Sequence, residues 1–272
     1  MIWFILIILL VIGGWCHISL MEDYKKEIAE EVAKELKKQK KGQQMITIDQ
    51  LQNRIICADC LDILKQLPDK CIDLVLTDPP YGIKMAKNTN IVSSNAKKGF
   101  YEKEIHQTKE WDNERPEFCF FQEMIRVSKN QIIFGGNYFA DMLPPSRCWI
   151  VWDKKEHETQ GKNFADCELA WTSFDKNIKK YKFGWIGLDY INNRKDEIKI
   201  HPTQKPSELF KMILQDYTKE GDLILDCFSG SGTTAVACHN LKRRFICIER
   251  DPEYWKASCE RLEQAQRQQT LF

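Results

Sequence analysis

An acidic residue, two prolines and a tyrosine follow directly on an apolar run that predicts a buried strand. The predicted strand covers residues 72–77, and Asp78, Pro79, Pro80 and Tyr81 come immediately after it. Two prolines cannot continue the hydrogen-bonded ladder of a sheet, so the chain is expected to leave the sheet at Asp78 in a rigid, extended conformation. Because ligands of open α/β sheets bind at the C-terminal ends of the strands, we expect Asp78 to lie in a binding site.

These residues have the chemistry needed to activate an exocyclic amino group of a nucleobase. Such a nitrogen is a poor nucleophile because its lone pair is delocalised into the ring, and groups that accept hydrogen bonds from its N–H groups return electron density to it. Asp78 and the carbonyl oxygen of Pro79 can each accept one hydrogen bond, while the ring of Tyr81 offers a face on which a flipped base can stack. We therefore interpret residues 78–81 as a catalytic motif rather than as an acidic strand end followed by a turn.

A second motif combines a predicted strand at residues 223–226, a glycine-containing turn and the start of a helix. Gly230 and Gly232 allow the backbone to approach a ligand closely, and a helix N-terminus offers unpaired N–H groups. The turn lacks the lysine of a Gly-Lys-Ser or Gly-Lys-Thr phosphate loop, which favours a nucleoside–amino acid ligand such as S-adenosylmethionine over a triphosphate. Glu249 ends the next predicted strand about twenty residues further on, where an acid can bind two ribose hydroxyls; the alternative is a solvent-exposed strand end.

A third motif runs from His201 through Thr203 and Lys205 to Pro206, and it leads into a predicted helix at residues 206–218. The proline at the start of this segment and a glycine past its end are typical of helix boundaries. Taken alone, the motif is a loop that precedes a helix, and a functional role is no more strongly indicated than a structural one.

Short runs rich in Val, Ile and aromatic residues recur after residue 46 and predict seven strands. Helical stretches lie between several of them, and this alternation predicts an α/β fold with a doubly wound sheet. The predicted strands are residues 54–58, 72–77, 131–134, 149–152, 169–173, 223–226 and 245–249.

In their order along the chain, the three motifs resemble those of the β-type amino-methyltransferases of DNA, which place an Asp-Pro-Pro-Tyr motif first and a Phe-x-Gly-x-Gly turn last. The resemblance extends from about residue 46 to the C-terminus. It implies a Rossmann-like, seven-stranded methyltransferase sheet that is permuted in sequence. In such a sheet, the strand at residues 223–226 would lie beside the strand at residues 72–77.

The resemblance also implies which residues surround the cofactor, S-adenosylmethionine. Gly230, Gly232 and Glu249 would bind it through the second motif. The other implied contacts are His201, Thr203 and Lys205 in its pocket, Phe228 against it, Asp226 near its amino acid moiety and Asp59 near its adenine.

The implied reaction is the transfer of a methyl group to N6 of a flipped-out adenine in double-stranded DNA by direct displacement, as in site-specific methylation of the restriction–modification type. Related enzymes that act on N4 of cytosine more often carry Ser in place of the acid, so Asp78 favours adenine and leaves N4 of cytosine as the alternative. A membrane-tethered DNA-binding protein without catalysis is a rival of another class. A further rival is the same chemistry on RNA or on a glutamine side chain, although enzymes of the last kind usually show Asn before Pro-Pro-Tyr.

The net charge of +1 gives no global signature of nucleic-acid binding, so positive charge for DNA must be concentrated locally. Two basic segments, near residues 84–114 and 154–200, do not fit the α/β alternation. We expect them to recognise the target, because bases must be read by chain that is not committed to the sheet. The candidate contacts are Lys97, Lys98 and Lys179 to Lys182, with Tyr181 and Phe183 among or beside the latter.

Eleven cysteines are scattered through apolar runs, which is typical of buried, reduced thiols in a cytosolic protein. Cys57 and Cys60 have a metal-like spacing, but no second pair follows at the distance of a zinc module. We therefore predict no metal site.

Residues 2–21 carry no charge and are long enough to span a membrane as a helix. Lysines follow this run, so the positive-inside rule would place the catalytic domain in the cytoplasm, anchored to the inner face of the membrane. Residues 22–44 are predicted to form a charged helical linker, and residues 45–268 the methyltransferase domain. The alternative is a true start at Met21 or Met45, because the domain needs nothing before residue 46.

Overall fold

The computed structural model describes most of the chain after residue 46. The predicted anchor at residues 2–21, the helical linker at residues 22–44 and nearly all of the basic segment at residues 84–114 lie outside the described residues. The chain divides into two units, Met1–Met45 and Ile46–Phe272, and the described residues all belong to the second. Among the helices of the described part, none is long and apolar enough to cross a membrane. The described residues are 47–83, 112–154, 165–185, 200, 201 and 203–269.

Eight strands form one mixed sheet within the described part of the chain. They are β1 Arg54–Cys57, β2 Ile72–Thr77, β3 Ser128–Phe134, β4 Trp149–Asp153, β5 Cys167–Thr172, β6 Lys179–Lys182, β7 Leu223–Asp226 and β8 Arg244–Glu249. Their order across the sheet is β1-β8-β7-β2-β3-β5-β4-β6. The strands from β1 to β3 in this order are parallel, β5 is antiparallel to both β3 and β4, and β6 is parallel to β4.

The sheet is permuted, as the sequence motifs imply. Strand β7 lies directly beside β2, with Leu74 opposite Ile224 and Val75 opposite Leu225. The prediction that these two strands are neighbours is therefore confirmed. The backbone N–H of Leu223 donates a hydrogen bond to the carboxylate of Asp73, although about 150 residues of chain separate the two. The pairing brings the first motif and the glycine turn to the same edge of the sheet.

The prediction of seven strands is wrong by one, because β6 lies within the basic segment at residues 154–200. This strand reads Lys-Lys-Tyr-Lys, and only Tyr181 is buried, so its pattern offers little apolar signal. Nζ of Lys179 lies 2.6 Å from a carboxylate oxygen of Asp216, and Nζ of Lys180 lies 2.8 Å from one of Asp153. Both lysines lie in the sheet and form ion pairs, and the expectation that this segment recognises the target DNA stays a prediction.

Helices cover both faces of the sheet, which confirms the predicted doubly wound α/β fold. The helices are α1 Ile48–Leu51, α2 Cys60–Leu64, α3 Phe118–Val127, α4 Ser207–Tyr217, α5 Thr233–Asn240 and α6 Pro252–Gln269. Helices α2 and α3 pack on one face through side chains such as Leu64 and Phe121. Helices α4, α5 and α6 pack on the other face through Phe210, Ala237 and Leu262. Two apolar layers thus hold the strand ends in fixed positions.

Asp73 ties the beginnings of three central strands together. Its carboxylate accepts hydrogen bonds from the backbone N–H of Leu223, at 2.8 Å, and from Nζ of Lys129, at 2.6 Å. Burial raises the pKa of Asp73, but these two donors outweigh burial and lower the pKa overall. The carboxylate form is therefore favoured in the folded protein.

We expect Asp73→Ala to lower the free energy of unfolding at pH 7 by about 1 to 3 kcal/mol, because the N–H of Leu223 loses its acceptor. Urea denaturation measures this change. The loss should stay constant down to the unfolded-state pKa of about 4 and shrink below it, because the stabilisation from a lowered pKa disappears as the pH falls through the folded-state pKa. Asp175→Ala is the control, since its ion pair with Arg147 is exposed and should contribute less than about 1 kcal/mol. Equal losses in the two variants would contradict the role of Asp73.

Candidate active site

The C-terminal ends of β2, β7 and β8 meet at a cavity of about 1230 Å³. Asp226 and Glu249 are the last residues of their strands, and Asp78 directly follows β2. All three line the cavity, as expected at the C-terminal edge of an open α/β sheet. The other predicted site residues that line it are Asp59, Pro80, His201, Thr203, Lys205, Phe228 and Gly230.

The carboxylate of Asp78 is held from two sides. Its Oδ1 accepts a hydrogen bond from the hydroxyl of Tyr81 at 2.6 Å, and its Oδ2 accepts one from Nζ of Lys205 at 2.5 Å. Burial raises the pKa of Asp78, the ammonium group of Lys205 opposes this, and the carboxylate of Glu168 raises the pKa further. Side chains of the protein itself thus orient the group that the sequence predicts at the reacting centre, and each oxygen has one further lone pair to offer.

Lys205 is 7% exposed and lies between two carboxylates. Besides its bond to Asp78, its Nζ lies 3.1 Å from Oε2 of Glu168, and Oε1 of Glu168 accepts a hydrogen bond from Nζ of Lys154 at 2.5 Å. Burial lowers the pKa of Lys205, but Asp78 and Glu168 outweigh it and raise the pKa overall. Lys205 is predicted from sequence as a cofactor residue, and in the structure its ammonium group also holds the acid of the first motif.

Glu168 and Lys154 belong to none of the motifs found in the sequence. Glu168 lies in β5, and the predicted strand begins one residue after it. Its signal is an acidic residue inside an otherwise apolar strand, which needs a buried partner. Lys154 lies directly after β4 and carries no pattern of its own, so only the pairing of β4 with β5 identifies it.

Tyr81 is enclosed by residues at the end of β3. Its ring stacks on that of Tyr138, with centroids 4.6 Å apart and planes at 14°, and meets Phe139 edge-on. A Cβ atom at Gly135 would lie only 2.1 Å from Cε1 of Tyr81, so this position must be glycine for the ring to fit. Burial raises the pKa of Tyr81, and the hydroxyl remains a hydrogen-bond donor to Asp78. Pro79, between these two residues, is buried and does not line the cavity.

Asp226 clamps the glycine turn to the sheet. Its Oδ1 accepts hydrogen bonds from the hydroxyl of Thr77, at 2.7 Å, and the N–H of Phe228, at 3.1 Å, and its Oδ2 accepts one from the hydroxyl of Thr234 at 2.5 Å. Burial raises the pKa of Asp226 to about 6. The turn that follows places Gly232, with φ of 72°, at the N-cap of α5. Gly232 itself does not line the cavity but begins the helix that does.

Glu249 joins the turn to the end of β8. One of its oxygens accepts a hydrogen bond from the N–H of Gly230 and the other from the N–H of Asp251, both at 2.8 Å. Burial raises the pKa of Glu249, while these backbone donors oppose the rise. Gly230 has φ of 51°, a conformation that glycine adopts without strain. The carboxylate is therefore fixed at the cavity wall with lone pairs left to accept further hydrogen bonds.

Two predicted residues approach the turn from other segments. Asp59 is the N-cap of α2, where its side chain accepts the N–H of Leu61 at 2.8 Å. His201 lies against Gly230, since a Cβ there would be 3.7 Å from its ring, and it packs edge-on against Tyr254. Its Nδ1 accepts the N–H of Thr203 at 3.3 Å. The third motif thus covers the glycine turn, which the sequence alone did not establish.

The groups around the turn suit a nucleoside that carries an amino acid better than a phosphate. Asp59, Asp226 and Glu249 supply carboxylates, which attract hydroxyl and ammonium groups and repel phosphate oxygens. Phe228 and Phe120, with ring centroids 6.0 Å apart, give the cavity an aromatic wall against which a base or a thioether can pack. The residues present therefore fit S-adenosylmethionine.

Residues 120–260, about half of the chain, match a family model described as DNA methylase. The chain is 26% identical over 252 residues to the type II methyltransferase M.HpaI of Haemophilus parainfluenzae, covering 78% of this chain and 75% of that protein. It is 26% identical over 260 residues to the type II methyltransferase M.HinfI of Haemophilus influenzae, covering 79% and 69%. The crystal structure of the M1.HpyAVI–SAM complex superposes with a TM-score of 0.47 at 24% identity, over 77% of this chain and 98% of that chain.

We expect Gly135→Ala to lower the free energy of unfolding by about 2 to 4 kcal/mol, because the new methyl group displaces the ring of Tyr81 in addition to straining the backbone. Gly221→Ala is the matched control: its φ of 82° is also positive, but no atom lies within 4 Å of the added Cβ, so only backbone strain of about 1 kcal/mol remains. Chemical denaturation measures both. In a Tyr81→Ala background the excess cost of Gly135→Ala should disappear, and an unchanged excess would contradict the contact.

Proposed function

We propose that the chain, which belongs to the DNA methylase family, methylates N6 of adenine in DNA with S-adenosylmethionine as the methyl donor. The family accounts for a DNA amino-methyltransferase that acts on either N6 of adenine or N4 of cytosine. The choice of adenine, the flipped position of the base and the roles of single residues are the parts that we propose. The relatives described as type II methyltransferases support site-specific duplex DNA as the substrate.

The observation that carries the proposal is the carboxylate of Asp78, held at the cavity wall beside the glycine turn of β7. Tyr81 and Lys205 each bond one oxygen of this carboxylate, which fixes its plane. A remaining lone pair would accept one N–H of the target amino group. The carbonyl oxygen of Pro79 would accept the other once the entering base displaces the residues that cover Pro79, which is buried and does not line the cavity. These two acceptors would raise the electron density on the nitrogen as it attacks.

The cofactor pocket would be formed by the acids and aromatic side chains around the turn. Glu249 would accept the two ribose hydroxyls, Asp59 would contact the adenine, and Phe228 would pack against the ligand. His201, Thr203 and Lys205 would cover it from the third motif, and the turn from Gly230 to Gly232 would lie against its polar end. When bound, S-adenosylmethionine supplies an electrophilic methyl group, and the chain contributes by orienting the amino nitrogen toward it.

Stacking of the target base on Tyr81 would require a rearrangement of Tyr138. One side of the Tyr81 ring is so close to Gly135 that no Cβ fits there, and the stacked ring of Tyr138 covers another part. Tyr138 is 38% exposed at the surface, so it can move outward without opening the core. A base that enters would replace one aromatic contact of Tyr81 by another, which keeps the energetic cost of entry low.

Glu249→Ala should weaken the binding of S-adenosylmethionine by about 1 to 3 kcal/mol, because charge-assisted hydrogen bonds to the ribose are lost. Isothermal titration calorimetry measures the dissociation constant. Glu263→Ala is the control, because Glu263 lies on α6 in an exposed ion pair with Arg267. A dissociation constant that is the same in both variants and in the unaltered chain would rule out this role for Glu249.

The proposed reaction is tested by identifying its product. The full chain is incubated with unmethylated genomic DNA and S-adenosylmethionine labelled in the methyl group, the DNA is digested to nucleosides, and the labelled nucleoside is identified by mass spectrometry. N6-methyladenine is the expected product. N4-methylcytosine would preserve the chemistry and overturn the base assignment, whereas label in RNA or protein alone, or in nothing, would contradict DNA adenine methylation.

Asp78→Ala and its isosteric partner Asp78→Asn should each slow methyl transfer by at least about a hundredfold, because the amino group loses its charged acceptor. Cofactor binding should stay within about threefold, since the proposed cofactor contacts lie mainly around β7 and β8. Incorporation of labelled methyl groups and calorimetry measure the two quantities. Substantial turnover in Asp78→Asn would defeat the catalytic role of the carboxylate.

A further inference from the structure

Four charged side chains of alternating sign form a row that ends at the proposed reacting centre. They come from four different segments: Lys154 after β4, Glu168 in β5, Lys205 before α4 and Asp78 after β2. The successive distances between ammonium nitrogens and carboxylate oxygens are 2.5, 3.1 and 2.5 Å. The side chains of Lys154, Glu168, Lys205 and Asp78 are 14%, 21%, 7% and 18% exposed, so solvent screens this row only weakly.

The second carboxylate on Lys205 is more than charge neutrality requires. A buried ammonium group is neutralised by one carboxylate, and Asp78 already lies at 2.5 Å. Glu168 nevertheless directs Oε2 at the same nitrogen, and this buried oxygen has no hydrogen-bond donor in good geometry among the described residues. Oε1 of the same carboxylate accepts the hydrogen bond from Lys154, so Glu168 lies between two ammonium groups and places a second negative charge beside Lys205.

Sharing one ammonium group between two carboxylates changes what each can do. If Lys205 faced Asp78 alone, its positive charge would act fully on the one group that must donate electron density to the target. A second anion on the far side of Lys205 offsets part of that charge, because electrostatic potentials add. Lys154 in turn offsets part of the charge of Glu168, so the row as a whole is neutral.

We propose that Glu168 is a positioning residue for methyl transfer, which shares Lys205 with Asp78 and thereby keeps Asp78 a strong hydrogen-bond acceptor for the target amino group. Lys154 moderates this effect through Glu168. The inference rests on the proposed function of Asp78, but its electrostatic part concerns only side chains of this chain. It can therefore be measured in the absence of cofactor and DNA.

The direction of each change follows from the charges that face Asp78. The charged and titratable groups around Asp78 are Lys205 before α4, Glu168 in β5, Tyr81 at the end of the first motif and Asp226 in β7. The variants leave Asp226 unchanged. Glu168→Gln removes an anion and should lower the pKa of Asp78. Lys154→Met removes a cation beside Glu168 and should raise the pH at which the carboxylate pair takes up its first proton. A purely structural role would not produce opposite shifts.

The kinetic test compares the full chain with Glu168→Gln, Glu168→Asp and Glu123→Gln. Glu123 is the matched control, because its carboxylate also forms a partly buried ion pair, 2.7 Å from a guanidinium nitrogen of Arg126. It lies on α3 and does not line the cavity. We expect Glu168→Gln to slow single-turnover methyl transfer by at least about tenfold, while the dissociation constants for S-adenosylmethionine and DNA stay within about threefold. Glu168→Asp should recover part of the rate, and Glu123→Gln should match the unaltered chain.

The second measurement does not require activity. Difference infrared spectroscopy follows protonation of Asp78 with pH in the full chain, and the band is assigned by its loss in Asp78→Asn. The expected result is a lower pKa of Asp78 in Glu168→Gln and, in Lys154→Met, a higher pH at which the carboxylate pair takes up its first proton. Unchanged titration in both variants would overturn the inference. If the titration shifts as expected but the unaltered chain methylates no DNA, the proposed function fails while the electrostatic coupling stands.

Discussion

The buried ammonium group of Lys205 is the contact through which the separate parts of the site are joined. It bonds Asp78 at the end of β2 and faces Glu168 in β5, and the backbone carbonyl of Lys205 accepts a hydrogen bond from Thr233 at the start of α5. Burying such a cation is unfavourable unless it is paired with anions in good geometry, so removing either carboxylate alone would leave a buried charge that is less well compensated. The same requirement holds the acid of the first motif in the orientation that the proposed reaction needs.

The permuted sheet explains how motifs from distant parts of the chain come to share one cavity. Because β7 lies between β2 and β8, the acids Asp78, Asp226 and Glu249 lie at the C-terminal ends of three adjacent strands. Asp226 and Glu249 are largely occupied with backbone and hydroxyl donors of the glycine turn, which fixes the turn before any ligand arrives. Asp78 differs, because its partners are side chains that belong to the proposed catalytic machinery.

Sequence motifs predicted the sheet edge and ten of the residues that line the cavity, because residues such as Asp78, Pro80 and Gly230 have backbone requirements that are visible in the local sequence. They missed β6, whose lysines conceal the alternation around Tyr181, and they missed Glu168 and Lys154. The charged row depends on pairing between β4 and β5, which no local pattern specifies. The closeness of Gly135 to Tyr81 was missed for the same reason, since it arises only when β3 lies beside β2.

The central claim is that an ionised Asp78 accepts a hydrogen bond from the target amino group, and the pH dependence of the single-turnover rate tests it most directly. We predict a rate that is constant at neutral pH and falls as the pH is lowered through the pKa of Asp78. Burial places that pKa above the ordinary aspartate value of about 3.9. The fall should be absent from the residual rate of Asp78→Asn. A rate of the unaltered chain that does not change down to the ordinary aspartate range, or an acid-side fall with the same midpoint and size in Asp78→Asn, would contradict the account.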